Sequence, residues 1–169
     1  TNYGCSLDID EDTDRIAIAA NKFGFFTGIV YIYSKNGRPE DVHDWDIVGI
    51  LNSPKAASQG FGLDVTIYGN WTIVSTGENE VFVYRNNYTL NENNEIVDKW
   101  VFHQELFDPN PSPESHFGSN IKMHGKYAVV GAWGFNSSYG IAYVYTYENE
   151  VNNTWVLQQN ITSVEGYNS

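Results

Sequence analysis

The apolar residues of this chain fall into short alternating runs, and the runs recur. IVYIY at 29–33, VFVY at 81–84 and IAYVYTY at 141–147 alternate aromatic with aliphatic or small side chains, the period-2 pattern of β-strands. Each is preceded by a segment of small and branched residues: IAIAA at 16–20, IVSTG at 73–77 and VVGA at 129–132. Each is followed by a tryptophan, Trp45, Trp100 or Trp155, at intervals of 55 and 55 residues, and six positions later by Leu51, Leu106 or Ile161. Ahead of each set stands an aromatic-glycine pair, Tyr3-Gly4, Phe61-Gly62 and Phe117-Gly118, at intervals of 58 and 56. Markers that keep their order three times define an internal repeat.

Each unit reads as four short strands. In the third, Ser119 to His124 alternates with Ile121 and Met123 on one face, and Gly125-Lys126 is a tight-turn signal. Tyr127 to Trp133 is apolar enough to be covered on both faces. A loop at 134–139 precedes an alternating strand from Gly140 to Tyr147, Glu148 to Asn153 is a polar hairpin loop, and Trp155 to Ile161 is the last strand. The second unit turns at Gly69-Asn70, and the first has the longer acidic turn DEDTD at 10–14. No segment has helical periodicity. The expected fold is all-β: one segment, 1–169, of three four-stranded antiparallel units at about 3–52, 61–107 and 117–162. Such units suggest β-propeller blades. The leading aromatic of each is expected to wedge between sheets, with its glycine permitting close backbone approach.

At these residues the sequence resembles the FG-GAP repeat family, the blades of integrin alpha-chain propellers and related extracellular proteins. Phe117-Gly118-Ser119, Gly125, Val130-Gly131-Ala132 and Gly140-Ile141-Ala142-Tyr143-Val144-Tyr145 follow the family order, with Trp133 where the family usually has Pro. The second unit has Ser75-Thr76-Gly77 in place of Gly-Ala-Pro, and the first has Tyr3-Gly4 and Ala19-Ala20-Asn21. Many family members carry a calcium loop between the first two strands of a blade. The resemblance therefore points to Asp10, Asp12 and Asp14 as metal ligands, because alternating carboxylates can converge on a hard cation. Arg15 stands where that loop's glycine is expected, and Ile18 where its closing carboxylate is expected, so a solvated acidic turn is the competing reading.

Three blades do not close a ring, since propellers have about four to eight. Gly166-Tyr167-Asn168-Ser169 reads as the start of a fourth copy with Asn in place of Gly. The expected partners are therefore copies of the chain or neighbouring blades of a longer one.

The net charge of −12, from 21 Asp and Glu against 9 Lys and Arg, argues against nucleic acid and anionic lipid as partners. No apolar run approaches the roughly 18 residues of a membrane span. The single Cys5 has no internal disulfide partner and reads as a small buried residue. Five N-x-S/T sequons, at Asn70, Asn87, Asn136, Asn152 and Asn160, fall mostly in expected turns and loops, as N-linked glycans require. They point to an extracellular or cell-surface location.

His43, His103, His116 and His124 lie in different repeat contexts and form no zinc spacing, and no GxSxG or phosphate loop is present. Trp71 and Trp133 fall outside the repeated Trp position and are candidates to stack on sugars. The expected function is a non-catalytic, glycosylated structural or adhesive repeat protein without a cofactor. The alternatives are a lectin-like module, with calcium if the acidic turn binds it, and a glycan-active enzyme.

Overall fold

In a computed structural model the chain is described over residues 2–35, 44–56, 58–94, 96–148 and 153–162. The first sheet joins β1 (Tyr3–Asp10), β2 (Arg15–Ala20), β3 (Ile29–Lys35) and β4 (Trp45–Leu51) in that order, all antiparallel. The second joins β5 (Val65–Tyr68), β6 (Trp71–Ser75), β7 (Val81–Asn86) and β10 (Trp100–Leu106). The third joins β11 (Phe117–His124), β12 (Tyr127–Ala132), β13 (Ile141–Glu148) and β14 (Thr154–Thr162). A fourth, two-stranded sheet of β8 (Thr89–Leu90) and β9 (Ile96–Val97) lies within the Asn-rich connection of the second unit. The protein is thus all-β. Among the described residues no helix is long and apolar enough to cross a membrane.

The three four-stranded sheets share one register. Ile18, Val74 and Val130 pair with Tyr31, Phe82 and Tyr143. Each fourth strand accommodates one extra residue between equivalent register positions, at Val48, His103 and Gln158. A bulge re-aims the side chains on either side of it.

Alternation within this register divides each sheet into two apolar faces. Ala17, Ala19, Val30 and Ile32 of the first sheet pack against Phe61, Val65, Ile67, Val74, Phe82 and Tyr84 of the second. Ile73, Val81 and Val83 of the second pack against Phe117, Ile121, Met123, Val130, Tyr143 and Tyr145 of the third. Aliphatic side chains on the third strand of one sheet thus meet aromatics on the third strand of the next. The repeated trio of sheets is held by these two cores, and fully burying a side chain as large as Phe contributes about 1.5–3 kcal/mol.

Burial differs from the sequence expectation on β12. One of its faces is covered, but Tyr127 and Val129 on the other are exposed. β6, the equivalent strand in the middle sheet, is buried from Thr72 to Ser75, because a sheet lies on each side of it. The loops after β2 and β12 also differ from expectation: α1 (Phe23–Phe26) and α2 (Phe135–Ser138) are four-residue helical turns with residues wound left-handed. Cys5 is exposed rather than buried.

Candidate functional site: a polar seam and two open faces

The first strands β1, β5 and β11 meet along a seam, and side chains at alternate positions stitch it. The Val65 N–H donates to Ser6 Oγ at 3.1 Å, and the equivalent Ile121 N–H donates to Asp64 Oδ2 at 2.8 Å. Two residues further along, the Ile67 N–H donates to Asp8 Oδ2 at 3.0 Å and the Met123 N–H to Thr66 Oγ1 at 3.1 Å. At the end of β1 the Gly69 N–H donates to Asp10 Oδ2 at 2.7 Å. Each first strand therefore supplies acceptors to the free backbone donors of the next, which satisfies polar groups on what would otherwise be bare strand edges.

Side chains tie the seam further. The hydroxyls of Ser6 and Thr66 donate to Asp64 and Asp8 at 2.7 Å each. The Lys122 ammonium reaches across from the third sheet to Asp8. Burial raises the Asp8 pKa, but the Lys122 ammonium, the Ile67 N–H and the Thr66 hydroxyl together outweigh it and hold the carboxyl below its ordinary value. On the outer side, Arg15 forms a buried two-pronged pair with Asp98, Nη2 to Oδ1 at 2.8 Å and Nε to Oδ2 at 3.2 Å. Arg15 thus occupies the acidic turn's expected glycine position as a tie from the first sheet to the connection just ahead of β10.

The repeated glycine lets neighbouring sheets approach closely. A Cβ on Gly62 would stand 2.9 Å from Ala19 Cβ, and one on Gly118 2.7 Å from Val81 Cγ2. Both have positive φ, +87° and +84°. Gly4 has the same conformation, φ +81°, yet a Cβ there would meet nothing within 4 Å among the described residues. The aromatic beside it follows suit: Phe61 and Phe117 are 0% and 1% exposed, while Tyr3 is 53% exposed. The Tyr84 and Tyr145 hydroxyls each donate to the carbonyl just beyond the preceding sheet's fourth strand, Asn52 at 2.5 Å and Phe107 at 3.1 Å. Tyr33, at the same register position in the first sheet, instead shares a hydrogen bond with Tyr3 at 2.8 Å. Burial and the Tyr33 hydroxyl push the Tyr3 phenol up to about 12.

Among the described residues the third sheet is open on its opposite side. Leu51 and Leu106 are buried under the following sheet, but Ile161 is half exposed. Gly131 and Ala142 stand in the register positions of Ala19 and Val30, the residues that receive Gly62. After β2, the Phe26 and Thr27 carbonyls accept the N–H groups of Gly60 and Phe61. Ser138 and Tyr139 occupy the matching positions after β12. The two ends of the trio thus present residues at the same register positions as the two sides of the interfaces within it.

The acidic turn does not gather its carboxylates. Asp10 accepts from the Asp12 N–H, the Thr13 hydroxyl and the Gly69 N–H. Asp12 is exposed and accepts from the Tyr68 hydroxyl at 3.3 Å, while Asp14 ends the turn at φ +49°. Among the described residues no three His, Cys, Asp or Glu side chains are grouped to hold a metal. Asn70, Asn87, Asn136 and Asn160 are exposed, on a turn, just after β7, on α2 and on β14 respectively. Asn152 and His43 lie outside the described residues. Trp71 packs among Tyr147, Trp155 and His103, with the Arg85 guanidinium 5.2 Å from its ring. Trp133 instead stands half exposed, stacked on His116.

The seam residues Ser6, Asp8, Asp64 and Thr66 were not singled out from the sequence. Their one signal is position, two and four residues after the repeated glycine. Comparison of the chain with protein-family models and with curated proteins returned no match.

Proposed function

We propose that the chain acts by assembly, as three FG-GAP-like β-propeller blades whose end faces receive further blades of the same kind. The observation that carries this reading is Gly4: it keeps the backbone conformation that lets Gly62 and Gly118 approach a neighbouring sheet, with no neighbour there among the described residues. Tyr3, Leu7 and Ile9 beside it are exposed, although their counterparts in the second and third sheets are buried. The receiving residues at the opposite end, Val129, Gly131, Ala142 and Ile161, supply the matching face. The role is structural or adhesive and non-catalytic, outside the cell or at its surface, with N-linked glycans on the exposed sequons. Neighbouring blades come from the same longer chain or from copies of it.

Light scattering on the purified chain tests this reading. Leu7→Asp should block one face and Val129→Asp the other. The unmodified chain is expected to grow in mass with concentration, and each variant alone to stay monomeric. A mixture of the two should form a one-to-one dimer through the remaining pair of intact faces. An unmodified chain that stays monomeric up to about 100 μM, well above the about 1 μM dissociation constant that corresponds to −8.2 kcal/mol, would defeat the proposal.

A further inference from the structure

The corner where each first strand begins is built three ways, and one of them exceeds what the fold needs. In the first sheet Asn2 donates from Nδ2 to Asn21 Oδ1 at 3.3 Å. In the second, Gly60 lies against Gly77, a Cβ on the former standing 3.3 Å from the latter's nitrogen. In the third, His116 and Trp133 stack with ring centroids 3.9 Å apart and planes 8° from parallel. Asn2, Gly60 and His116 all have positive φ, +53°, +69° and +51°. Gly takes that conformation without steric cost, and Asn and His take it more often than other side chains do. Two adjoining positions thus depart together from residues that close the same corner elsewhere in the chain. Such departures concentrate at functional sites.

The departure builds a shelf. His116 covers one face of the Trp133 indole, and Trp133 remains 54% exposed. The pair stands between two cavities, of about 490 Å³ and 240 Å³. The larger falls within the range of about 300–1,000 Å³ usual for small-molecule sites. Its lining includes Gly134, where the backbone is closely packed: a Cβ there would stand 1.7 Å from the Glu114 carbonyl oxygen, so no other residue fits. Around the aromatic wall it offers Asn110, Glu114, Asn136 and Ser137. A flat apolar wall edged with amides, hydroxyls and one carboxylate matches a molecule with a C–H face and a hydroxyl rim. Glu114 and the chain's charge of −12 disfavour a phosphate or other anion.

We infer that the His116–Trp133 shelf binds carbohydrate, one pyranose ring stacking on the free indole face with its hydroxyls toward Glu114 and the neighbouring amides. The sugar has two sources, a glycan on Asn136, which lines the same cavity, or a glycan from outside the chain. The first source rests on the extracellular reading above, and the second does not.

The test uses the whole chain made without N-glycans, titrated with N,N′-diacetylchitobiose, mannobiose and cellobiose while the Trp133 and His116 ring signals are followed by NMR. At least one sugar is expected to shift both signals saturably in the millimolar range. The double variant His116→Gly with Trp133→Gly reproduces the Gly60–Gly77 corner, so it should keep its remaining spectrum and lose at least tenfold in affinity. In chain glycosylated at Asn136, ring signals already displaced, and restored by Asn136→Gln, identify the chain's own glycan as occupant. Signals that still titrate with added sugar identify an outside one. The inference is overturned if neither the three sugars nor the Asn136 glycan moves these signals, if a response survives in the double variant, or if choline moves them and no sugar does.

Discussion

The first strand of the first sheet and the first strand of the second hold the same register place and opposite environments. Leu7 and Ile9 on β1 are 63% and 53% exposed, and Val65 and Ile67 on β5 are 3% and 2% exposed. All four are branched aliphatics at matching positions after the repeated glycine. The residues therefore do not decide the difference; the presence of a neighbouring sheet does. An apolar alternation in a repeat protein specifies an interface, and whether it is filled depends on what stands next to it. Exposed apolar faces of this kind mark contact surfaces.

The comparison is broken most directly at the leading aromatics. Phe61→Ala and Phe117→Ala should each cost about 3–5 kcal/mol, the range for deleting a buried ring. Tyr3→Ala should cost the isolated chain less than about 1 kcal/mol, since its exposed ring leaves little cavity. Urea unfolding of the monomer measures all three. Equal losses at positions 3 and 61 would mean that the first sheet's outer face is already supported. If assembly covers that face, the Tyr3 penalty should grow with protein concentration while the Phe61 penalty does not.

The glycines give the next largest effect. Alanine at Gly118 adds a Cβ 2.7 Å from Val81 Cγ2 and 3.0 Å from Ser75 Cβ, on a backbone with positive φ. Overpacking of about 1–3 kcal/mol then adds to about 1–2 kcal/mol of left-handed strain. Gly4→Ala should cost only the strain. The difference in urea midpoint between these two variants isolates the interface contribution, and identical midpoints would remove the argument that Gly118 is chosen for close approach.

What the sequence made legible follows from period and spacing. The alternating runs became the third strands β3, β7 and β13, and Trp45, Trp100 and Trp155 each lie at or beside the start of a fourth strand. The seam was hidden because its bonds join residues 57 to 59 positions apart, and because unlike side chains do the same work: Ser6 and Asp64 at one level, Asp8 and Thr66 at the next. The acceptor's role needs only an oxygen, so no residue type repeats. The α1 and α2 turns escaped notice because left-handed turns lack a periodic signal, and Phe25, Ser137 and Ser138 do not favour that conformation. The β8–β9 hairpin adds only two residues per strand, too few for alternation to register. Of the residues weighed for sugar stacking, only the neighbours could separate Trp71 from Trp133. One lies in an aromatic cluster and the other on an open shelf.

The smallest expected effect concerns the charge in the seam. Asp8 is ionised at neutral pH and accepts the Ile67 N–H and the Thr66 hydroxyl, which join the first sheet to the second. Burial raises its pKa, but its donors lower it further, so the folded value lies below the unfolded value of about 3.9. The resulting stabilisation is present above that unfolded value and is lost as pH falls through the folded one. Asp8→Asn keeps an acceptor oxygen and removes the charge. It should cost about 1–2 kcal/mol at pH 7, in line with charge-assisted bonds. The difference from the unmodified chain should shrink as pH falls from about 4 through the folded pKa, below which the carboxyl is neutral in both states. Lys122→Met should change stability by less than about 1 kcal/mol, because its ammonium is largely exposed and screened. Urea midpoints from pH 7 to pH 2.5 follow both variants. An Asp8→Asn penalty that persists unchanged in acid would show that shape, not charge, closes the seam between the first two sheets.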